Sequence, residues 1–307
     1  MTIRHFLSLE DLNDSELRHV LDLAARVKKF PQEYRQALAG QTLAMIFQKK
    51  STRTRVSFEV GMFQLGGHAL FLGANDIQIG RGETIADTAQ VLGRYCDLIM
   101  ARVYGHDDLV ELAEHAGIPV INGLSDALHP CQVVADLQTM EEQFDSLEGR
   151  TFTYVGDGNN MAHSLMLGCS RMGMNVQICA PPGYEPAEKY TALSRAYCEA
   201  RGQWLRIDTD PSKAAVDSDV VYTDVWASMG QESEQQERLK AFAGFEVDDT
   251  MMARAKSSAI FMHCLPAHRG EEVSASVCDG PQSVIFDEAE NRLHAQKALM
   301  LFLAGVN

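Results

Sequence analysis

Residues 48–55 read Gln-Lys-Lys-Ser-Thr-Arg-Thr-Arg, between a short apolar run, TLAMIF (42–47), and a stretch with helical spacing. Strand end, loop and helix start, in that order, place free backbone N–H groups and the positive end of a helix dipole beside Ser51, Thr52, Arg53 and Thr54. The hydroxyls add donors, and a guanidinium grips a phosphate at two points. The chemistry on offer is anion binding. A short basic run is more often a solvated loop. Here it lies at a strand end, in a strongly acidic chain, which favours the anion site.

Other groups fall at the same kind of position. Arg102 follows the apolar run LIMA (98–101), and His129-Pro130-Cys131-Gln132 follows PVIN (119–122) after a short loop. A cation, an imidazole and an amide converging on an anion site could polarise a carbonyl and hold its developing oxyanion. Taken alone, His-Pro is a turn signal and a single histidine is more often structural. Gly156-Asp157-Gly158-Asn159-Asn160 follows TFTYV (151–155) and opens a helix. It fails as a dinucleotide fingerprint. Met161 stands at the third glycine position, and no acidic residue ends the next strand, which runs into Ala180-Pro181-Pro182. Asn160 is then either a binder of a polar ligand group or part of an Asx turn and helix cap.

Two further segments end strands: Asp224-Val225-Trp226-Ala227-Ser228-Met229-Gly230 and His263-Cys264-Leu265-Pro266-Ala267-His268-Arg269-Gly270. Asp224 could pair with a substrate ammonium or cap a turn. Cys264 could be a thiolate, a hydrogen-bond partner or a small buried apolar group. Its adjacency to His263 does not make a nucleophile pair, because neighbours on a strand point to opposite faces.

The elements that must position these groups alternate. Strand candidates at 42–47, 68–72, 98–101 and 119–122 are separated by helical stretches near 53–65, 84–95 and 107–116, after a helix over 8–29. The alternation restarts with strands at 151–155, 175–180, 204–207, 219–225 and 259–264, and helices near 130–144, 159–173, 186–200 and 289–304. This pattern implies parallel sheets with right-handed crossovers. The expected class is α/β: two doubly wound domains with parallel sheets, joined by helices. One comprises 1–135 completed by the C-terminal helix 289–307, the other 136–288. A chain of 307 residues suits two domains.

Composition narrows the functions. A net charge of −15 argues against nucleic acid and anionic membrane surfaces as partners. No run of 18 apolar residues occurs, and the start MTIRHFLSLE has no apolar signal core. Seven cysteines without a CxxC pair suggest a reduced, cytoplasmic setting and no zinc site.

In order and spacing, the segment Phe47 to Arg55, HPCQ at 129–132, Asp224 to Gly230 and HCLP at 263–266 resemble the carbamoyltransferases. The match runs to Glu290-Asn291-Arg292, and the SMG (228–230) and HCLP segments point to the ornithine branch. The one departure is Gln48-Lys49-Lys50, where acidic residues and Pro are common. The resemblance implies carbamoyl phosphate and L-ornithine as substrates, with no cofactor and no metal. Ser51, Thr52, Arg53 and Thr54 would hold the phosphate. Arg102, His129, Gln132 and Arg292 would serve the carbamoyl end. Gln78 would reach the phosphate of a neighbouring subunit in a homotrimer with sites at subunit interfaces. Asn160, Asp224, Ser228 and Met229 would hold the amino-acid end of ornithine, with Cys264 and Leu265 beside the reacting δ-amine. The 1–135 domain would bind carbamoyl phosphate and the 136–288 domain ornithine, closing over the pair. Arg102, His129, Cys264 and Arg292 would be the catalytic set. An aspartate enzyme would instead carry a Pro-Leu-Pro-Arg type of segment near 265, and a putrescine enzyme would lack SMG.

Overall fold

A computed structural model describes residues 3–75, 77, 82–227 and 234–306. The chain forms two compact units, one of residues 1–138 and 290–307 and one of 139–289.

In the first unit, α1 (Asp14–Lys29) starts where Asn13 accepts from the Glu16 amide and the Glu16 side chain accepts from the Asn13 amide. A separate 3-10 turn, Leu9–Asp11, precedes it, so the helix expected from residue 8 begins at 14 instead. Then come β1 (Thr42–Phe47), α2 (Thr52–Gln64), β2 (His68–Gly73), α3 (Ile85–Tyr95), β3 (Leu98–Arg102), α4 (His106–Ala116), β4 (Val120–Leu124) and α5 (Pro130–Gln143). The four strands pair in the order β2-β1-β3-β4, all parallel. Strands β1 and β3, buried along nearly their whole length, read as continuous apolar runs, as central parallel strands do. The edge strand β2 alternates exposed and half-buried residues over its first four positions.

The second unit opens with β5 (Thr151–Val155), α6 (Asn160–Arg171), β6 (Asn175–Cys179), α7 (Glu188–Ala200), β7 (Leu205–Asp208) and β8 (Val220–Thr223). Short helices α8 (Gln235–Ala241) and α9 (Asp249–Met252) lead to β9 (Ile260–His263), α10 (Ala275–Cys278) and the long α11 (Ile285–Leu303). Strand order is β7-β6-β5-β8-β9, again all parallel. The chain passes from the first unit to the second within α5 and returns within α11.

Each sheet reverses its winding once, between β1 and β3 and between β5 and β8. Crevices for ligands open at the carboxyl ends of strands at such points. Register brings the relevant ends level: Phe47 pairs with Arg102, Val155 with Thr223, and Thr223 with His263.

The crossing of α3 and α4 shows how tightly the first unit is built. A Cβ on Gly93 would sit 1.7 Å from the carbonyl oxygen of Ala116. That atom belongs to backbone and cannot rotate away. Gly93→Ala is therefore expected to destabilise the first unit by about 1–3 kcal/mol, read as a lower midpoint of its denaturant unfolding. An unchanged midpoint would refute this packing.

Candidate active site

The first unit gathers one set of polar groups at the ends of β1 and β3. Ser51, in extended conformation, caps α2 by accepting from the Thr54 amide at 3.2 Å, and its hydroxyl lies 3.1 Å from that of Thr54. Thr52, Arg53 and Thr54 form the first turn of α2, where backbone N–H groups have no carbonyl partner within the helix. Arg102 ends β3 and is buried. His129 is buried directly before Pro130, the first residue of α5. Proline lacks an N–H and has its φ preset, so it suits a helix start.

Gln132 lies in the first turn of α5. Its amide nitrogen donates to Asp136 Oδ1 at 2.8 Å, so its oxygen faces the other way and accepts from Arg292 Nη1 at 2.5 Å. Arg292, from α11, also donates from Nη2 to the Thr54 hydroxyl at 3.4 Å. Residues 54, 132 and 292, remote in sequence, thus share one hydrogen-bonded cluster. Burial pushes the His129 imidazole well below its usual pKa, and the nearby Arg292, Arg102 and Arg53 guanidiniums push it further down. The imidazole is neutral at neutral pH, with one nitrogen a donor and the other an acceptor. Such a cluster can bind a dianion and donate to a carbonyl oxygen beside it.

The second unit gathers another set. Asn159, not Asn160, caps α6, accepting from the amides of Met161 and Ala162. Asn160 is the first helical residue, and its carbonyl accepts from Ser164 Oγ at 2.8 Å. Asp224 follows β8. Its Oδ1 accepts from the Val225 amide at 2.8 Å and from Cys264 Sγ at 3.0 Å, and its Oδ2 from Asn159 Nδ2 at 3.4 Å. Asp224 is thus a turn cap with a second oxygen on the asparagine side. Cys264 is its hydrogen-bond partner, one of the three roles open from sequence.

His263 hydrogen-bonds to Glu272 and to the Leu265 amide. Its Nε2 is 3.1 Å from Glu272 Oε1, both side chains being fully buried, while Nδ1 accepts from the Leu265 amide at 2.8 Å. That pairing assigns the proton to Nε2. It also holds Leu265 at φ +58°, a conformation unfavourable for a bulky residue. Glu288 supports the same strand end, accepting from the His263 amide at 2.9 Å and from the Tyr222 hydroxyl at 3.0 Å.

Gly158 of the 156–160 loop serves packing. A Cβ on Gly158 would lie 2.3 Å from Pro186 N and 2.4 Å from Glu185 C. The close approach is to neighbouring chain, so no pyrophosphate is needed to explain this glycine. Asp157 accepts from Arg238 Nη1 at 2.8 Å, and the same nitrogen donates to the Trp226 carbonyl at 2.9 Å, tying this loop to both flanks of residues 228–233.

Gln78, Ser228 and Met229, expected in the site from sequence, lie outside the described residues. Gln132–Asp136, the Glu272–His263 pair, Glu288 and Asn159 are contributions that sequence reading missed. The i, i+4 spacing of Gln132 and Asp136, and an asparagine directly before a helical stretch, could have signalled two of them. Among the described residues, two triads hold potential metal donors within 4.8 Å: Asp224, His263 and Cys264, and His268, Glu271 and Glu272. Hydrogen bonds account for the first triad, through Cys264–Asp224 and His263–Glu272. In the second, Glu272 accepts from the His268 amide at 2.6 Å.

The buried neutral His129 makes stability depend on pH. Its unfolded pKa is near 6.5 and its folded pKa lies well below. Protons therefore favour the unfolded chain, and this contribution to stability is lost as pH falls through 6.5, by up to about 1.4 kcal/mol per pH unit. In denaturant titrations, the stability of the wild type relative to His129→Gln is expected to be constant above pH 7.5 and to decline from pH 6.5 to 5. A pH-independent difference would contradict the neutral, buried assignment.

Known families place these clusters in context. The family model described as aspartate/ornithine carbamoyltransferase, carbamoyl-P binding domain, matches residues 4–142. Its companion, the Asp/Orn binding domain, matches 148–303. An ornithine carbamoyltransferase of Oceanobacillus iheyensis is 54% identical over 302 residues, covering 98% of this chain and 94% of the relative. One from Pyrococcus furiosus, named as anabolic, is 53% identical with coverages of 98% and 96%. The solved ornithine carbamoyltransferase of Pyrococcus furiosus superposes with a TM-score of 0.95 at 52% identity, covering 99% of each chain. The chain belongs to the aspartate/ornithine carbamoyltransferase family, among its ornithine carbamoyltransferases.

Proposed function

We propose that this enzyme transfers the carbamoyl group of carbamoyl phosphate to the δ-amine of L-ornithine, giving L-citrulline and phosphate. The observation that carries the reading is the cluster in the first unit, where the start of α2, Gln132 and Arg292 are hydrogen-bonded together beside His129. It offers what carbamoyl phosphate presents: a phosphate for the helix start and Arg53, and a carbonyl for the donors beside it.

In this reading Ser51, Thr52, Arg53 and Thr54 hold the phosphate. Arg102, His129, Gln132 and Arg292 bind the carbamoyl group. The δ-amine, whose free base alone is nucleophilic, attacks the carbonyl carbon. Charge gathers on the carbonyl oxygen and is met by these donors. The intermediate collapses by breaking the bond between the carbonyl carbon and the phosphate oxygen, and the proton lost by the amine is taken up by the departing phosphate. Positive charge at the phosphate eases its departure. The balance closes without a cofactor. Asn160 and Asp224, with Ser228 and Met229, hold the amino-acid end of ornithine, and Cys264 and Leu265 flank the δ-amine.

Membership among ornithine carbamoyltransferases, together with the anabolic relative, supports a biosynthetic role leading toward arginine. The homotrimer with Gln78 serving a neighbour's phosphate is part of the same proposal. It is supported by apolar residues that α2 and β2 leave exposed, namely Val56, Val60, Phe63 and Leu70. No described helix is long and apolar enough to cross a membrane. Among the described residues the seven cysteines form no disulfide, which accords with a cytoplasmic setting.

The test is citrulline formation from carbamoyl phosphate with ornithine, beside putrescine, N-acetylornithine and aspartate under a phosphate readout. Turnover with ornithine alone is the expected result, and turnover with a different amine overturns the ornithine assignment. Each charge-assisted contact is worth about 1.5–3 kcal/mol. Arg53→Ala is therefore expected to weaken carbamoyl phosphate binding by about 10–100-fold. Asp224→Ala should raise the KM for ornithine by a similar factor while leaving carbamoyl phosphate affinity intact. Unchanged constants in either variant would refute that residue's role.

A further inference from the structure

Arg292 is clamped on its far side by a residue that no substrate role explains. Gln296 lies one helical turn further along α11 and is fully buried. Its neighbours fix the orientation of its amide. The oxygen lies 2.7 Å from Arg292 Nη2 and 3.2 Å from Arg292 Nε, and the nitrogen lies 2.5 Å from Ser57 Oγ and 3.3 Å from the Arg292 carbonyl. Ser57 in turn donates to the carbonyl of Arg53 at 2.6 Å. Gln132 accepts from Nη1 on the other side, with its own amide held by Asp136. Two amide oxygens thus grip one guanidinium from two directions, and one of them is linked through Ser57 to the first turn of α2.

We propose that Gln296 is a positioning residue for the carbamoyl phosphate site. By accepting from Nη2 and Nε it fixes the plane of the Arg292 guanidinium, and through Ser57 it sets that plane against the turn carrying Arg53. A guanidinium has several rotatable bonds, and donor geometry decides how well an oxyanion is met. Gln296 touches no reacting atom. It acts through Arg292, and this rests on the carbamoyl phosphate reading above.

A double-mutant cycle separates this role from a merely structural one. Gln296→Met keeps size and removes both polar atoms. It is expected to weaken carbamoyl phosphate binding, measured calorimetrically, by about tenfold, and to lower kcat with little change in the KM for ornithine. Gln296→Glu keeps an acceptor for Arg292 and should recover most of the loss. In an Arg292→Ala background, Gln296→Met should add nothing. An additive loss there, or full affinity in Gln296→Met, overturns the proposal. If Gln296→Met fails to fold, Ser57→Ala provides the same cycle by removing the anchor of the amide nitrogen. Binding is read without an acceptor amine. A failure of the ornithine assignment would show in the amine panel and leave this cycle readable, whereas wild-type protein that binds no carbamoyl phosphate would overturn the underlying reading itself.

Discussion

Burying guanidinium groups together is the constraint on which the first unit depends. Arg102 and Arg292 are each at most 4% exposed, and both, with Arg53, bear on the buried imidazole of His129. Like charges brought out of water repel strongly, and burial alone penalises each of them. Arg292 donates to the neutral oxygens of Gln132, Thr54 and Gln296, which fix its geometry. A cluster of guanidiniums of this kind suits an anion. It explains why a chain with net charge −15 concentrates basic groups at one sheet edge. It also explains why α11 returns to the first unit: it delivers Arg292.

The second unit solves a different problem. It must hold one carboxylate, Asp224, in a fixed orientation at a strand end. Three neutral donors do so, namely the Val225 amide, Cys264 Sγ and Asn159 Nδ2. The strand that carries Cys264 is itself fixed from behind by the buried His263–Glu272 pair and by Glu288. The two units share a design in which parallel strands bring reactive side chains level and a buried polar layer behind them sets their orientation.

Much of this was legible in the sequence because parallel β/α alternation announces itself. Short apolar runs bounded by loops gave strands whose ends named the site, and Ser51, Arg102, Asp224 and Cys264 all fall at such ends. What was not legible has physical reasons. Helices α8 to α10 span four to seven residues, too short for a helical period to show. The helix at the end of the chain begins at Ile285 rather than near 289. Asp136, Glu272, Glu288 and Gln296 sit at ordinary-looking positions, and their partners are set by tertiary packing. The 156–160 loop fails as a dinucleotide fingerprint in its sequence, and the close approach at Gly158 is to residues 184–186.

In the proposed mechanism a preorganised set of donors in the first unit polarises the carbonyl of carbamoyl phosphate. Isotope-edited infrared difference spectroscopy of carbonyl-labelled carbamoyl phosphate tests it directly. Bound to the enzyme without amine, the carbonyl stretch should move to lower frequency than in water, and Arg292→Ala should reverse most of that shift. A bound carbonyl at its solution frequency, in protein saturated with carbamoyl phosphate, would contradict the account.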